Sequence, residues 1–276
     1  MSLRHKLHDT VYYVYNNNPK LPVIVMVHGF RGTHHGLDLI AKKLSDYMVV
    51  VPDLPGFGET KPMSDEHSIT NYAGWLNKFI KDLNLSTPPI LLGHSFGSII
   101  TSHYAMEHPA SISKLILVNP IGAPALKGPK AIMSRLALVY YWLGSKLPEP
   151  IATSLLSAKP IVFIMSNTMA KTPDKELRNF IHNQHFTHFS SFTNRQVVAE
   201  AFDASIRNTV RDVAQNITVP TLLVAGDLDD ITPIKKQHEL FRLFPTAEME
   251  VIKGVGHLTH YETPDAVATA IKKFTR

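Results

Sequence analysis

Three observations predict an α/β fold: a mostly parallel, twisted sheet flanked by helices, with an inserted helical segment. Five short runs, at 23–27, 48–51, 90–92, 115–118 and 221–225, are β-branched or leucine-rich on consecutive positions. Strands covered by helices on both faces need that pattern, because neither face meets water. Amphipathic stretches separate the runs, the βαβ signature of a parallel sheet. Between about 121 and 219 only helical segments follow, too long a stretch for a loop within a compact domain.

Residues 10–15 read as an edge strand and 247–252 as a late one. Helices are expected at 37–47 and 69–83, where apolar residues recur at three- and four-residue spacing. Another should start directly from the glycine turn at 93–97 and run over 96–107. The chain closes with a helix over 264–274, with Thr263 as N-cap and Pro264 at the first helical position. The insertion reads as helices at 130–146, 150–157, 161–169, 174–186 and 194–208. The expected organisation is one core of 1–120 and 220–276, with 121–219 as a helical cap over the C-terminal edge of the sheet.

The composition narrows the function classes. At 276 residues, 44% hydrophobic and 18% charged, the chain can bury its own core without a staple. It has no cysteine, which excludes disulfides, thiolate metal sites and a cysteine nucleophile. The net charge of +5 is spread over isolated pairs such as Lys42-Lys43, Lys235-Lys236 and Lys272-Lys273. A nucleic-acid binder would gather such charge into a stripe, so no nucleic-acid partner is expected. Residues 1–18 lack the apolar region of a secretory signal, and no run reaches the roughly 18 apolar residues of a membrane span. A cytoplasmic protein without stable membrane insertion is the expectation; the sequence does not reveal an oligomeric state.

Gly93-His94-Ser95-Phe96-Gly97 fits G-x-S-x-G between a strand and a helix. A turn that tight needs small neighbours, and it projects the Ser95 hydroxyl at the positive end of the following helix. Serine needs a base to take its proton. Among 15 histidines, His257 in Gly254-Val255-Gly256-His257 is placed for it, after the last strand and before the last helix. His260 lacks the glycine lead-in. The base needs an acid to hold its tautomer, and Asp227, Asp229 and Asp230 all follow the strand at 221–225. Spacing alone does not separate the three. An oxyanion would need two backbone N–H donors: one from Phe96, and one from Phe30 in His28-Gly29-Phe30-Arg31-Gly32, with His28 bracing that loop.

Taken in order, His28-Gly29-Phe30, Asp53-Leu54-Pro55-Gly56-Phe57-Gly58, Gly93 to Gly97, Gly226 to Pro233 and Gly256-His257 resemble the α/β-hydrolase superfamily. The likeness is to its esterase-like branch with a helical cap and covers nearly all of the chain outside the cap. It implies a Ser95–Asp229–His257 triad, since the pattern G-x-x-D-x-[IV]-x-P puts the acid on Asp229, and a structural role for the loop from Asp53 to Gly58. It also implies an enzyme without a cofactor, acting on a small acyl substrate through an acyl-enzyme. Ser98 stands where the family often has a further glycine, a harmless change to another small residue.

A serine at the elbow argues against the epoxide and halide chemistry of relatives that use aspartate there. A proline iminopeptidase would need acidic groups for the substrate amine, and Glu149, Asp174, Glu176, Glu200 and Asp203 are available. Carbon–carbon bond hydrolases, haloperoxidase-like relatives and non-hydrolytic receptors of the fold share the triad. The apolar residues of the insertion, from Met133 to Phe192, should mostly pack against one another, a minority lining the pocket. Arg31, His94, Tyr140 and Met165 are the candidate pocket residues, although an arginine such as Arg31 is more commonly exposed to solvent. His182, His185 and His188 have suggestive spacing but no carboxylate or cysteine beside them, so no metal is expected.

Overall fold

The computed structural model describes residues 2–123 and 131–276. Eight strands form one sheet: β1 (Leu3–Leu7), β2 (Thr10–Tyr15), β3 (Val23–Val27), β4 (Met48–Pro52), β5 (Ile90–His94), β6 (Lys114–Val118), β7 (Thr221–Gly226) and β8 (Ala247–Ile252). Their order across the sheet is β1-β2-β4-β3-β5-β6-β7-β8. From β4 to β8 all pairings are parallel, whereas β2 runs antiparallel to both β1 and β4. The edge is therefore β1, and the expectation for residues 10–15 is corrected by one strand. Leu-Arg-His-Lys-Leu carries no apolar run, because both of its faces are largely exposed.

Side chains alternate across a strand, and the core follows that rule. Val23, Val25 and Val27 of β3 join one hydrophobic cluster, while Ile24 and Met26 join another on the opposite face. In β6 Leu115 and Leu117 divide from Ile116 and Val118 in the same way. Each such side chain, once fully buried, stabilises the fold by about 1.5–3 kcal/mol.

Helix α1 (Asp38–Lys43) packs on one face with the last helix of the chain; α2 (Ile69–Asp82) and α3 (Phe96–Glu107) cover the other. Ser68 caps α2 by accepting the Asn71 amide N–H. Between β6 and β7 come α4 (Ala131–Lys146), α5 (Glu149–Leu156), α6 (Lys159–Met169), α7 (Lys175–His188) and α8 (Arg195–Arg207). Asp174 and Asn194, expected as the first helical residues, are the N-caps of α7 and α8, one position outside each helix. Lys130 and the side chain of Met133 lie outside the described residues. The chain ends in α9 (Ile234–Phe241), the short α10 (Thr259–Glu262) and α11 (Pro264–Thr275). Among the described residues no helix is long and apolar enough to cross a membrane.

The segment between β6 and β7 rests on the loops at the C-terminal edge of the sheet in two places. Ala170 and Ile181 pack with Leu258 and Tyr261, and Tyr141, Leu156 and Val198 pack with Phe30. Its last helix also belongs to the main core, through Val197, Ala201 and Ala204. Several of its large apolar side chains face solvent instead, among them Leu136, Val139, Trp142 and Phe163.

Candidate active site

In a parallel sheet the loops after the strands' C-terminal ends gather at one edge, and there the chain concentrates its polar burial. Ser95 follows β5 directly and stands at the N-cap of α3 with φ 52° and ψ −117°. A left-handed backbone strains a residue with a Cβ. Neighbouring contacts hold it. The Ser95 amide donates to Val118 O at 3.0 Å, and its own carbonyl accepts the Ser98 hydroxyl. A Cβ on Gly93 would lie 2.2 Å from Thr101 Oγ1, and one on Gly97 would lie 2.3 Å from Val27 O. The flanking glycines are therefore required by close approach. Ser98 also accepts the Ile121 amide at 3.1 Å. Its hydroxyl thus ties the exit of β6 to the elbow, which a glycine could not do.

His257 Nε2 lies 2.8 Å from Ser95 Oγ, and His257 Nδ1 lies 2.7 Å from Asp229 Oδ2. Both His257 and Asp229 are buried. Asp229 Oδ1 accepts the amides of Ile231 and Thr232 at 2.8 and 2.9 Å. Oδ2 accepts Asn119 Nδ2 at 2.8 Å and the Thr232 hydroxyl as well. Burial works to raise the Asp229 carboxyl's pKa, but the facing His257 and these donors outweigh it and hold it well below the usual range. The other two aspartates have different partners. Asp227 accepts the Gly254 amide at 2.7 Å and shapes the turn, while Asp230 pairs with Lys171 at 2.7 Å.

Burial disfavours the charged form of the histidines that flank His257. Burial, then the charge of His257, pushes His94 down to about 3. His260 lies tilted against His94 with ring centroids 4.1 Å apart, and burial drives it well below its ordinary value. His28 is locked as one tautomer: its Nδ1 donates to Gly29 O and its Nε2 accepts the Leu54 amide, both at 2.9 Å. Asp53 is wholly buried beneath the same loop, accepting the His34 amide at 2.8 Å and the Glu59 amide at 3.0 Å. Ser95 can pass its proton to His257, with Asp229 as the nearby anion for a charged His257.

The family model described as "alpha/beta hydrolase fold" matches residues 22–264. The chain belongs to the α/β hydrolase fold family. It is 24% identical to Lipase 1 of Psychrobacter immobilis, an alignment covering 96% of this chain and 80% of that protein. It is also 24% identical to monoacylglycerol lipase ABHD6 of Mus musculus, over 99% of this chain and 82% of the relative. Among solved structures, the esterase EaEST of Exiguobacterium antarcticum superposes with a TM-score of 0.78 at 20% identity, over 100% of both chains. These relatives bear out the esterase-like serine hydrolase that the motifs resembled.

In this α/β hydrolase two of the candidate pocket residues, Arg31 and Tyr140, meet on the carbonyl of Leu156. Arg31 is fully buried with φ 58°, contrary to the exposure expected of it. Its Nε donates to Phe189 O at 3.1 Å, Nη2 to Leu156 O at 2.6 Å and Nη1 to Tyr141 Oη at 3.4 Å. The guanidinium also lies 4.4 Å from the centroid of the Phe189 ring. Leu156 ends α5 and Phe189 caps the C-terminus of α7. Two helix C-termini carry the partial negative charge that balances a buried cation. Tyr140 donates to Leu156 O at 3.0 Å, and so serves the same junction. Met165 is half-buried on α6, on the face of Val162, Ser166 and Met169. His182 and His185 each place Nδ1 2.7 Å from Ser166 Oγ, while His188 stacks on His35 at 3.8 Å. Among the described residues no cluster of histidines and carboxylates is arranged to hold a metal.

Arg31→Met should therefore destabilise the seating of α5 and α7 by about 2–4 kcal/mol, since two carbonyls lose charged donors. Hydrogen exchange at the C-terminal turns of those helices measures it, and exchange as slow as in the wild type would contradict the assignment. Sequence reasoning missed Asn119, which is wholly buried between Asp229 and the His257 loop. The only signal was an Asn-Pro pair directly after a strand run.

Proposed function

We propose that the chain hydrolyses esters, thioesters or similar acyl bonds of small, mainly apolar substrates, through an acyl-enzyme on Ser95. The hydrogen-bonded line Ser95–His257–Asp229 carries this reading. His257 Nε2 takes the Ser95 proton as Oγ attacks the acyl carbon, and Asp229 stabilises the imidazolium. The oxyanion is held by the Phe30 and Phe96 amides, neither of which has a hydrogen-bond acceptor among the described residues. His257 returns the proton to the leaving group, whose bond to the acyl carbon breaks. A water then loses a proton to His257 as it attacks the acyl-enzyme, and Ser95 recovers that proton as it leaves.

Residues 121–219 serve as a cap in this reading, seated on Phe30 and Tyr261 beside the two reacting loops. Phe30 meets Phe96, Tyr141 and Phe202 with ring centroids 6.1, 5.5 and 5.9 Å away. An aromatic cluster beside the Ser95 elbow favours an apolar acyl or aryl group. An iminopeptidase is disfavoured because the acidic candidates are committed elsewhere. Glu149 pairs with Arg195, Glu200 with His67 and Asp203 with Arg207, while Asp174 caps α7. Glu176 is exposed in the first turn of that helix.

A fluorophosphonate probe should label the protein, and peptide mapping should find the adduct on Ser95. A panel of aryl esters graded in acyl length, with proline amides beside them, should show ester turnover and no amide turnover. Absence of both labelling and ester hydrolysis would leave a ligand-binding protein of the same fold as the better reading.

A further inference from the structure

We infer that Asn119 is a positioning residue, whose carboxamide holds the Asp229 carboxylate and the His257 loop in a single register. The inference rests on the Ser95 reading above and adds a residue to it. Asn119 directly follows β6, as Ser95 follows β5, and its amide donates to Val224 O at 2.8 Å, stepping the chain across to β7. Its φ is 46°, a left-handed backbone that asparagine tolerates better than most residues. Its side chain is wholly buried and fully used. Nδ2 donates to Asp229 Oδ2 at 2.8 Å and to Gly256 O at 3.3 Å, and Oδ1 accepts the Thr259 hydroxyl. A carboxylate and a carbonyl can only accept, so the orientation of the amide is forced.

The consequence is geometric. Backbone amides fix Asp229 Oδ1 through the acid's own turn, and that turn meets the loop bearing His257 at Leu228 N to Val255 O, 3.0 Å, and Gly254 N to Asp227 Oδ1, 2.7 Å, both ahead of His257 itself. Gly256 immediately precedes His257 and Thr259 lies two residues after it, and both bind the same carboxamide as Asp229 Oδ2. Acid and base loops, 28 residues apart in sequence, are thereby aligned against one planar group on a third strand end. Asparagine alone among small residues offers two N–H donors and one acceptor there. Aspartate would turn acceptors toward Asp229 Oδ2 and Gly256 O, and would add a negative charge beside the base.

The test compares Asn119→Ala and Asn119→Asp with the wild type and with Ser95→Ala as the blank, measuring kcat, KM, pH profile and thermal midpoint on one aryl ester. Asn119→Ala should lose about 10²-fold in kcat through misalignment of the pair, with KM unchanged. Asn119→Asp should move the acidic limb of kcat/KM up by about one pH unit, because the added carboxylate favours protonated His257. A group that merely fills space would move the thermal midpoint and leave that limb in place. Should Asn119→Ala not fold, the near-isosteric Asn119→Asp decides alone. Wild-type kcat in Asn119→Ala, or an unmoved acidic limb in Asn119→Asp, overturns the inference when Ser95→Ala is inactive. Undiminished turnover in Ser95→Ala overturns the Ser95 reading instead.

Discussion

Ser95→Ala should lower ester turnover by about 10⁵- to 10⁶-fold and leave only the residual rate that binding and the oxyanion donors supply. Alanine keeps the Cβ and the left-handed backbone at φ 52° while removing the one oxygen that His257 Nε2 meets at 2.8 Å. The fold should therefore be unchanged, and substrate should still bind. Ser95→Gly makes a useful companion. It removes the same oxygen but also relieves the backbone strain, so it should be as inactive and yet more stable by about 1 kcal/mol. A calorimetric midpoint above wild type, together with lost turnover, would show directly that strain is held at the nucleophile. Ester hydrolysis that survives both changes would move the nucleophile elsewhere.

Asp229→Asn should reduce kcat by about 10³- to 10⁴-fold, because an amide cannot replace a carboxylate that accepts from every side. Two backbone amides, Asn119 Nδ2, the Thr232 hydroxyl and His257 Nδ1 all point at Asp229. With NH2 in the place of Oδ2 the new amide confronts His257 Nδ1, and turned the other way it confronts the Ile231 and Thr232 amides; in both cases the imidazolium loses its counter-charge. The equivalent changes at Asp227 and Asp230 should be mild for turnover, since those carboxylates serve a turn and a lysine. A larger loss at either of them would relocate the acid. A stability effect accompanies the kinetic one. Asp229's carboxyl is held below the ordinary aspartate value of 3.8, so its contribution to folding is complete above that pH. It is lost only as the pH falls through the depressed native value. Wild type and Asp229→Asn should thus differ most in stability at neutral pH and converge in strong acid, as denaturant titrations at several pH values would reveal.

The parts of the fold that were legible are those whose physics is local. Buried parallel strands must be apolar on every position, and the elbow glycines are forced because an added Cβ would lie 2.2–2.3 Å from its neighbours. The edge strand β1 escaped because an exposed strand needs no apolar run. Arg31 was misread for a different reason: its counter-charges are the ends of α5 and α7, carbonyl groups for which the sequence has no letter. Which aspartate faces His257 was likewise open on spacing alone, for the three lie within four residues and only the turn's path decides. Asn119 depends on the register of three strand ends, with partners 110 and 137 residues away.

The Arg31 staple bears on any attempt to graft a different helical segment onto this sheet. A donor segment cut at the ends of β6 and β7 would arrive without the carbonyls that neutralise Arg31, leaving an ion stranded beside the Phe30 amide. Chimeras of this protein must exchange the loop from His28 to Gly32 along with the helices. The boundary of the exchangeable unit is then drawn by charge neutrality, and the two cut points in the chain do not capture it.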